Sequence, residues 1–468
     1  MDDWEKIKKK GGFAMSNYTM GYKKLLWLIT FFWLTSCNSP KPETSKTDKL
    51  ANTYCGSCHL VPDPSLLDKK AWLEKVLPPM GKMLGIEYYW GEPINSSKGG
   101  LSLQDWKRIV QDYVDLAPDT MAGQNRAPVK DFSNLFSAES VDVVPGKFPA
   151  TSYVKIDPGN HFIYQGDAFD STLNIYNEHL RKLATHNIHS VLVDMNFADS
   201  LAVAGDRRVI ATDIGMMNPN DAKKGKAYSF LLTKNGSLTN LKKIIDSLPR
   251  PVQTIATDLD RDGKDDWLVC GFGNRIGDLY WIKNSLDGKI EKQILRALPG
   301  AVKAYVDDFN HDGLLDIMVL MAQAQEGIYL LINNGNGSFE TKEVLRFPPI
   351  YGSSYFELDD FNGDGFKDIL YTCGDNGDYT WQTLKNYHGV YIFLNDGKNN
   401  FHQKYFYPIH GCYKAIARDF DKDGDLDIAA ISYFPDEVNQ PQESFHTGDL
   451  FYFISTYYKK IAKHSFPM

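Results

Sequence analysis

The chain has 468 residues, 43% of them hydrophobic and 24% charged, with a formal net charge of −8. That balance describes an ordinary globular protein with room for about two to four domains. The acidic excess excludes nucleic acid as a partner, since nucleic-acid binding leaves a basic footprint. Aromatic residues make up 13%, a content that suits β-structure.

The N-terminal region reads as an export signal. Lys23 and Lys24 precede an apolar run over residues 25–34. Ten residues are too few to span a bilayer but fit the core of a signal peptide. The expected start of translation is Met20 or Met15, because residues 1–19 precede the basic start. The run ends in Leu34-Thr35-Ser36-Cys37, which resembles a bacterial lipobox. The resemblance implies that Cys37 is lipidated and becomes the mature N-terminus. Ordinary signal cleavage, with Cys37 incidental, is the alternative. Residues 38–49 are rich in Pro, Ser, Lys and Thr and read as a flexible tether. No later apolar run is long enough to cross a membrane. The expected location is the cell envelope, as an outer-membrane lipoprotein facing the periplasm or the cell surface.

The next segment, residues 50–125, is expected to be a small all-α domain. It opens on Cys55-Gly56-Ser57-Cys58-His59, a C-x-x-C-H sequence. Two thiols at this spacing can each add to a vinyl group of one porphyrin, and the adjacent His can then ligate the iron. A zinc site would need two further ligands, yet the next His is His161. A thioredoxin-like redox pair would need a βαβ setting, which is absent. Downstream come a helix around residues 69–76 holding Trp72, the run Leu77-Pro78-Pro79-Met80, and a helix from Leu103 to about Leu116. The start Ser102-Leu103-Gln104-Asp105 looks like a capping box. Together these features resemble the small bacterial cytochrome c domains. The resemblance implies one covalent haem c with Met80 as the distal ligand. Met83 and Met121 remain as rivals.

Beyond residue 128 the chain repeats itself. Four nine-residue loops read D-x-[DN]-x-D-G-x-x-D, starting at residues 258, 308, 360 and 419. The first offers Asp258, Asp260, Asp262 and Asp266; the second Asp308, Asn310, Asp312 and Asp316. The third offers Asp360, Asn362, Asp364 and Asp368; the fourth Asp419, Asp421, Asp423 and Asp427. Positions 1, 3 and 5 alternate around a tight loop and aim oxygens at one centre. The glycine permits the turn, and the carbonyl of position 7 (Lys264, Leu314, Phe366 or Asp425) and the carboxylate of position 9 complete a shell. Such a shell suits calcium, a hard cation wanting six to eight oxygens, and about four ions are expected.

These loops are not EF-hands, because each leads straight into an apolar strand rather than a helix. Loop starts lie 50, 52 and 59 residues apart, the length of a four-stranded blade with its loops. The repeats resemble the FG-GAP/VCBS family, whose blades carry this loop in the integrin α propeller. The resemblance covers roughly residues 130–468. It implies a mainly β protein with a calcium-binding β-propeller of about seven blades, with six as the alternative. In the seven-blade count, residues around 130–155 and the C-terminal strand close the ring. Residues 193–199 sit where a fifth loop is due but lack the glycine and the full carboxylate set. Cys270, Cys373 and Cys412 are expected to be small buried residues, and His388 and His410 structural loop residues.

The function these features point to is electron transfer by a membrane-tethered carrier whose propeller docks a redox protein or a glycan. With both axial positions of the iron filled, no substrate reaches it. A propeller dehydrogenase feeding its own haem is one alternative, and an adhesion or glycan-binding protein another. No nucleophile or acid–base pair stands at a diagnostic spacing, so a binding and electron-transfer role is preferred to an enzymatic one.

Overall fold

Among the described residues the first helix starts at Lys49. The computed structural model describes residues 49–96, 100–124, 150–189, 191–198, 206–285, 289–375, 383–432 and the backbone of 451–454. Residues 47–468 group as one compact unit. Cys37 and the tether residues 38–48 lie outside the described residues, as does residue 125. Among the described residues no helix is long and apolar enough to cross a membrane.

The first part of this unit is built on three helices. Helix α1 covers Lys49–Tyr54, and α2 runs through Lys69–Ala71, a π-helical turn Trp72–Val76 and Leu77–Met83. The wider turn has a cause in the sequence. Pro78 and Pro79 have no N–H to return to the preceding turn, so the helix loosens there, and the Leu77 amide bonds back to Trp72. Asp68 caps the start, accepting from the Ala71 amide at 2.8 Å. Helix α3, Leu103–Leu116, starts where expected, with the Asp105 amide on the Ser102 hydroxyl at 3.0 Å. Its buried face carries Trp106, Ile109 and Tyr113.

The all-α expectation for this part is corrected by a hairpin, β1 (Ile86–Tyr89) and β2 (Glu92–Ser96). Gly91, in the left-handed region at φ +85°, supplies the turn. Ile86 is buried in the helical core, and the Tyr88 hydroxyl accepts from the Trp106 indole at 2.8 Å. One side of a four-residue strand is thus enough to tie the hairpin to α3.

The remainder forms consecutive antiparallel sheets. The first holds β3 (Thr151–Asp157), β4 (Phe162–Asp167), β5 (Thr172–Tyr176) and β6 (Lys182–Asn187). The second holds β7 (Leu192–Phe197), β8 (Arg207–Asp213), β9 (Gly225–Leu232) and β10 (Leu238–Leu248). The third holds β11 (Pro251–Thr257), β12 (Asp266–Gly271), β13 (Asp278–Asn284) and β14 (Ile290–Arg296). The fourth holds β15 (Ala301–Asp307), β16 (Asp316–Met321), β17 (Gly327–Asn333) and β18 (Phe339–Arg346). The fifth holds β19 (Ser353–Asp359), β20 (Asp368–Cys373), β21 (Gly389–Asn395) and β22 (Phe401–Pro408). A sixth sheet has three strands, β23 (Cys412–Arg418), β24 (Asp427–Ser432) and β25 (Phe451–Ile454).

Each sheet is an up-and-down meander, and the first strand of each packs against the first strand of the next. This is a β-propeller. The second and third strands are buried on both faces between neighbouring sheets, which is why β12, β16 and β20 read as unbroken apolar runs. The seven-blade expectation is corrected. Five complete four-stranded sheets and the three-stranded sixth stand among the described residues. Residues 130–149, expected to help close a seventh blade, lie outside them, and the first sheet is complete without them. Residues 193–197 are also reassigned: they belong to the inner strand β7 and not to a degenerate metal loop.

Every inner strand carries the same irregularity. Its pairing to the second strand skips one residue, between 151 and 153, 192 and 194, 251 and 253, 301 and 303, 353 and 355, and 412 and 414. A bulge of this kind adds twist and re-aims the residues after it. Polar side chains beyond the bulge then reach the backbone of the next inner strand. The Lys155 ammonium donates to Met195 O at 2.9 Å, and the Asn196 amide to Thr254 O at 2.8 Å. The Ala304 amide donates to Gln253 Oε1 at 2.7 Å, and the Ala417 amide to Glu357 Oε2 at 3.1 Å.

The helical part and the propeller share one core. Ile350 and Tyr387 are buried in the cluster that contains Trp72, Trp106 and Tyr113. The Gln124 amide donates to the carbonyls of Lys385, Asn386 and His388 at 2.9–3.3 Å.

Candidate functional sites: a thiol pair with an adjacent histidine, and four aspartate loops

Helix α1 delivers the first site. Its last turn continues past Tyr54, with the amides of Cys58 and His59 both pointing at Cys55 O (3.2 and 3.4 Å). This places the two thiols about one helical turn apart, with His59 immediately after. Both sulfurs are free thiols. Cys55 is buried and Cys58 exposed, and burial, helped by the nearby Cys58, pushes the Cys55 thiol up to about 11. Cys55 therefore stays protonated and uncharged at neutral pH, which suits addition to an apolar vinyl group better than metal binding as a thiolate.

The His59 ring is held in one orientation. Its Nδ1 lies 2.8 Å from Leu60 O. A carbonyl can only accept, so Nδ1 carries the proton and Nε2 keeps its lone pair, the tautomer a metal-ligating imidazole needs. The stretch that follows is pinned on both sides. The Tyr113 hydroxyl donates to Pro62 O at 2.9 Å and the Trp72 indole to Pro64 O at 2.7 Å, with the two rings edge to face at 4.5 Å. Of the methionines proposed as distal ligand, Met80 is half-buried against this same core, whereas Met83 is 86% exposed. Met121, half-buried, follows α3. The donor set fits a covalently attached haem: Cys55 and Cys58 would hold the ring, and His59 and Met80 the iron.

The second site is repeated. In each loop the position-1 carboxylate gathers the loop's own amides. Asp258 accepts from Asp262 N and Gly263 N at 3.1 and 3.0 Å, and Asp308 from Asp312 N and Gly313 N at 3.0 and 2.8 Å. Asp360 does the same with Asp364 N and Gly365 N (3.1 and 2.8 Å), and Asp419 accepts from Gly424 N at 3.1 Å. The position-5 carboxylates of Asp262, Asp312, Asp364 and Asp423 accept from the amides of Lys264, Leu314, Phe366 and Asp425 at 2.7–2.9 Å. The glycines at position 6 all have positive φ, +85° to +92°, a conformation that costs a side-chain-bearing residue dearly.

The loops differ at position 3. In the first and fourth, Asp258, Asp260, Asp262 and Asp419, Asp421, Asp423 bring one oxygen each within 4.8 Å of one another. Three like charges at this separation repel unless a cation lies among them. In the second and third loops Asn310 and Asn362 take the place of an acid and donate to Asp312 and Asp364 at 2.8 Å. The chemistry of these donors fits calcium, with one carboxylate fewer in the middle two loops.

Position 9 behaves differently from the other carboxylates. Asp266, Asp316, Asp368 and Asp427 are at most 1% exposed. Asp316 accepts from Phe309 N at 3.1 Å and Asn333 N at 2.8 Å, and Asp368 from Phe361 N and Asn395 N at 2.9 and 2.8 Å. Asp266 accepts from Asn284 N and the Trp281 indole, both at 2.8 Å. Burial raises the pKa of all three, that of Asp368 to about 6. This residue fastens the loop to the third strand of its blade, and any cation shares it with those donors.

The asparagines that close this fastening, Asn284, Asn333 and Asn395, escaped the motif. Their signal is the Asn that ends the third strand of the third, fourth and fifth sheets ahead of a Gly turn. Asn333 also donates its side-chain amide to Leu259 O of the preceding loop and Leu315 O of its own, both at 3.1 Å. Cys270, Cys373 and Cys412 are buried free thiols, as expected. His388 is fully buried just before β21.

Comparison with known proteins agrees with the repeats. Residues 258–319 and 308–371 match the FG-GAP-like repeat family. No curated protein matches the chain. Solved structures similar to it include a luciferin-regenerating enzyme (12% identity, 67% of this chain and 93% of that one, TM-score 0.40). A protein from Lactobacillus plantarum is 13% identical over 60% of this chain and 77% of that one, TM-score 0.41. The calcium-binding protein regucalcin from Agrobacterium tumefaciens str. C58 is 12% identical over 66% of this chain and 90% of that one, TM-score 0.38. Likenesses this remote carry nothing about ligand or activity. The chain is a β-propeller that carries FG-GAP-like repeats, a fold consistent with a binding role.

Proposed function

We propose that the protein is an exported, lipid-anchored c-type cytochrome in which a calcium-binding propeller presents the haem domain to a redox protein or a glycan. The observation that carries this reading is the Cys55–His59 segment. Two free thiols one helical turn apart stand beside an imidazole whose Nδ1 is tied to Leu60 O at 2.8 Å. Haem bound there would supply one-electron transfer. The chain's own residues would do the rest. His59 and Met80 would be the residues that hold the haem iron, which would leave the group to carry electrons rather than to bind a substrate. Trp72 and Tyr113 hold the segment after His59 in place through their bonds to Pro64 O and Pro62 O. The shared core around Ile350 and Tyr387 fixes the domain on the propeller.

The calcium reading rests on the convergent carboxylates of the first and fourth loops. The anchor reading rests on Leu34-Thr35-Ser36-Cys37.

The test is a reduced-minus-oxidised absorption spectrum of protein expressed with haem-attachment machinery, beside a Cys55→Ala/Cys58→Ala control. A covalent haem spectrum that disappears in the control supports the cytochrome. Met80→Ala should then abolish the spectral signature of sulfur ligation while Met83→Ala leaves it intact. Protein free of haem would leave a binding propeller and no electron carrier.

A further inference from the structure

The propeller axis gathers a second, quite different set of charges. The six residues that follow the inner-strand bulges are Tyr153, Asp194, Gln253, Lys303, Tyr355 and Lys414, one from each sheet. They occupy one level of the ring, and Lys155 stands two residues beyond Tyr153. Asp194 of the second sheet feels lysines of the first, fourth and sixth sheets, namely Lys155, Lys303 and Lys414, and Lys414 in turn feels Lys303 and Lys155. Only side chains aimed at the common axis can meet partners from so many sheets. All of these lysines, with Asp194, are partly rather than fully buried although they sit on innermost strands. Water therefore reaches the axis.

Charge at this level does not balance. Arg207 is paired with Asp157 at 2.6 Å and Arg418 with Glu357 at 2.8 Å. Asp157 and Glu357 also act on Lys155 and Lys414, but each is already paired with an arginine, so Asp194 is the acid left to offset the three lysines Lys155, Lys303 and Lys414. Lys155 spends one donor on Met195 O. Among the described residues Lys303 and Lys414 have no hydrogen bond or ion pair. Their ammonium groups lie over tyrosine rings, Lys303 at 5.3 Å from Tyr305 and 5.8 Å from Tyr355, and Lys414 at 4.8 Å from Tyr355. Half-buried ammonium groups without acceptors are costly, and the surplus of positive charge sits inside a chain that is acidic overall. Burial holds Lys155 and Lys414 below the usual lysine range, and an anion between them would reverse that pressure.

We propose that the axis of the propeller is a binding site for a small oxyanion, held by Lys155, Lys303 and Lys414. The ligand class is a sulfate-, phosphate- or carboxylate-bearing molecule narrow enough to enter between inner strands. The lysines supply charge-assisted donors, and Tyr355 packs beneath two of them. Asp194 sets a limit on the ligand's charge and orients it by repulsion. This site is independent of the haem reading and of the aspartate loops, which bind the opposite charge.

Isothermal titration of the full chain with inorganic sulfate, at constant calcium and ionic strength, tests it. Saturable binding of one sulfate per chain is expected in the wild type. Lys303→Met and Lys414→Met should each weaken it by about tenfold or more, the worth of one charge-assisted bond. Lys303→Arg, which keeps the charge, should retain binding and guards against a variant that merely fails to fold. Succinate in place of sulfate tells a carboxylate site from a tetrahedral-oxyanion site, and binding of either supports the proposal. Absence of saturable binding of both anions, or equal affinity in wild type and both methionine variants, overturns it.

Discussion

The helical part and the propeller hold themselves together in different ways. Residues 49–124 form a small core around Trp72, Trp106 and Tyr113, each of whose polar atoms is spent on one specific partner. The propeller spreads the same task over repeated units, three of them fastened by a buried Asp at position 9 and an Asn at the end of the third strand. A single-copy domain of this size is marginal on its own and gains from a covalent graft. A repeated one gains by adding copies, and would gain further from a cation in each aspartate loop. The difference teaches where to look for chemistry: in the motif that occurs once, and at equivalent positions that the repeats fill differently.

The sharpest way to break this comparison is to chelate the calcium that the aspartate loops are proposed to hold. Each calcium present at about 100 times its dissociation constant adds about 2.7 kcal/mol, and about 2–4 °C of melting temperature goes with each kcal/mol in a domain of this kind. Chelation with EGTA should lower the propeller's melting temperature by about 10 °C or more in calorimetry, and leave any haem absorption in place. A melting temperature unmoved by EGTA would mean the loops are held by their own hydrogen bonds alone.

Trp106→Ala attacks the other region. It removes a fully buried side chain and the donor to Tyr88, a loss of about 3–5 kcal/mol. Hydrogen exchange should then show α1–α3 open while β11–β22 stay protected. Equal loss of protection in both regions would show that they fold as one unit.

A third prediction concerns a buried acid between the fourth and fifth sheets. Glu326 is fully buried, accepts from Ser353 N at 2.6 Å, and is pushed up to about 7 by burial. Its folded form holds a proton more tightly than the unfolded chain does, so its contribution is full below about pH 4.5 and is lost as pH rises to 7. The loss amounts to about 3 kcal/mol by linkage. Denaturant titrations at pH 5 and pH 8 should show this fall in the wild type and a flatter profile in Glu326→Gln. The smallest effect belongs to the surface. Lys367→Ala breaks its half-exposed pair with Asp307 (2.6 Å) and should cost no more than about 0.5 kcal/mol in the same titration.

Much of this architecture was legible because it repeats. The D-x-[DN]-x-D-G spacing located four loops, and the apolar strands after them located the blade cores. Helix α3 was legible from its cap at Ser102 and its 3.6-residue stripe. Other features needed the third dimension. The segment around Asp194 was mistaken for a weak loop because its acid and amide spacing mimics one. In the fold it is an inner strand, and its carboxylate faces the axis. The axial lysines could not be grouped from the sequence, since Lys155, Lys303 and Lys414 meet only after each strand has bulged at the same place. The hairpin Ile86–Ser96 was missed because only Ile86 on it is buried, too little for a period-two pattern to register.

The most direct measurement of the central claim is the mass of the peptide spanning Cys55–His59, taken from protein made with haem-attachment machinery. The account predicts that this peptide carries one haem joined to both cysteines and that neither thiol reacts with an alkylating agent. A peptide without haem, with both thiols open to alkylation, would contradict it.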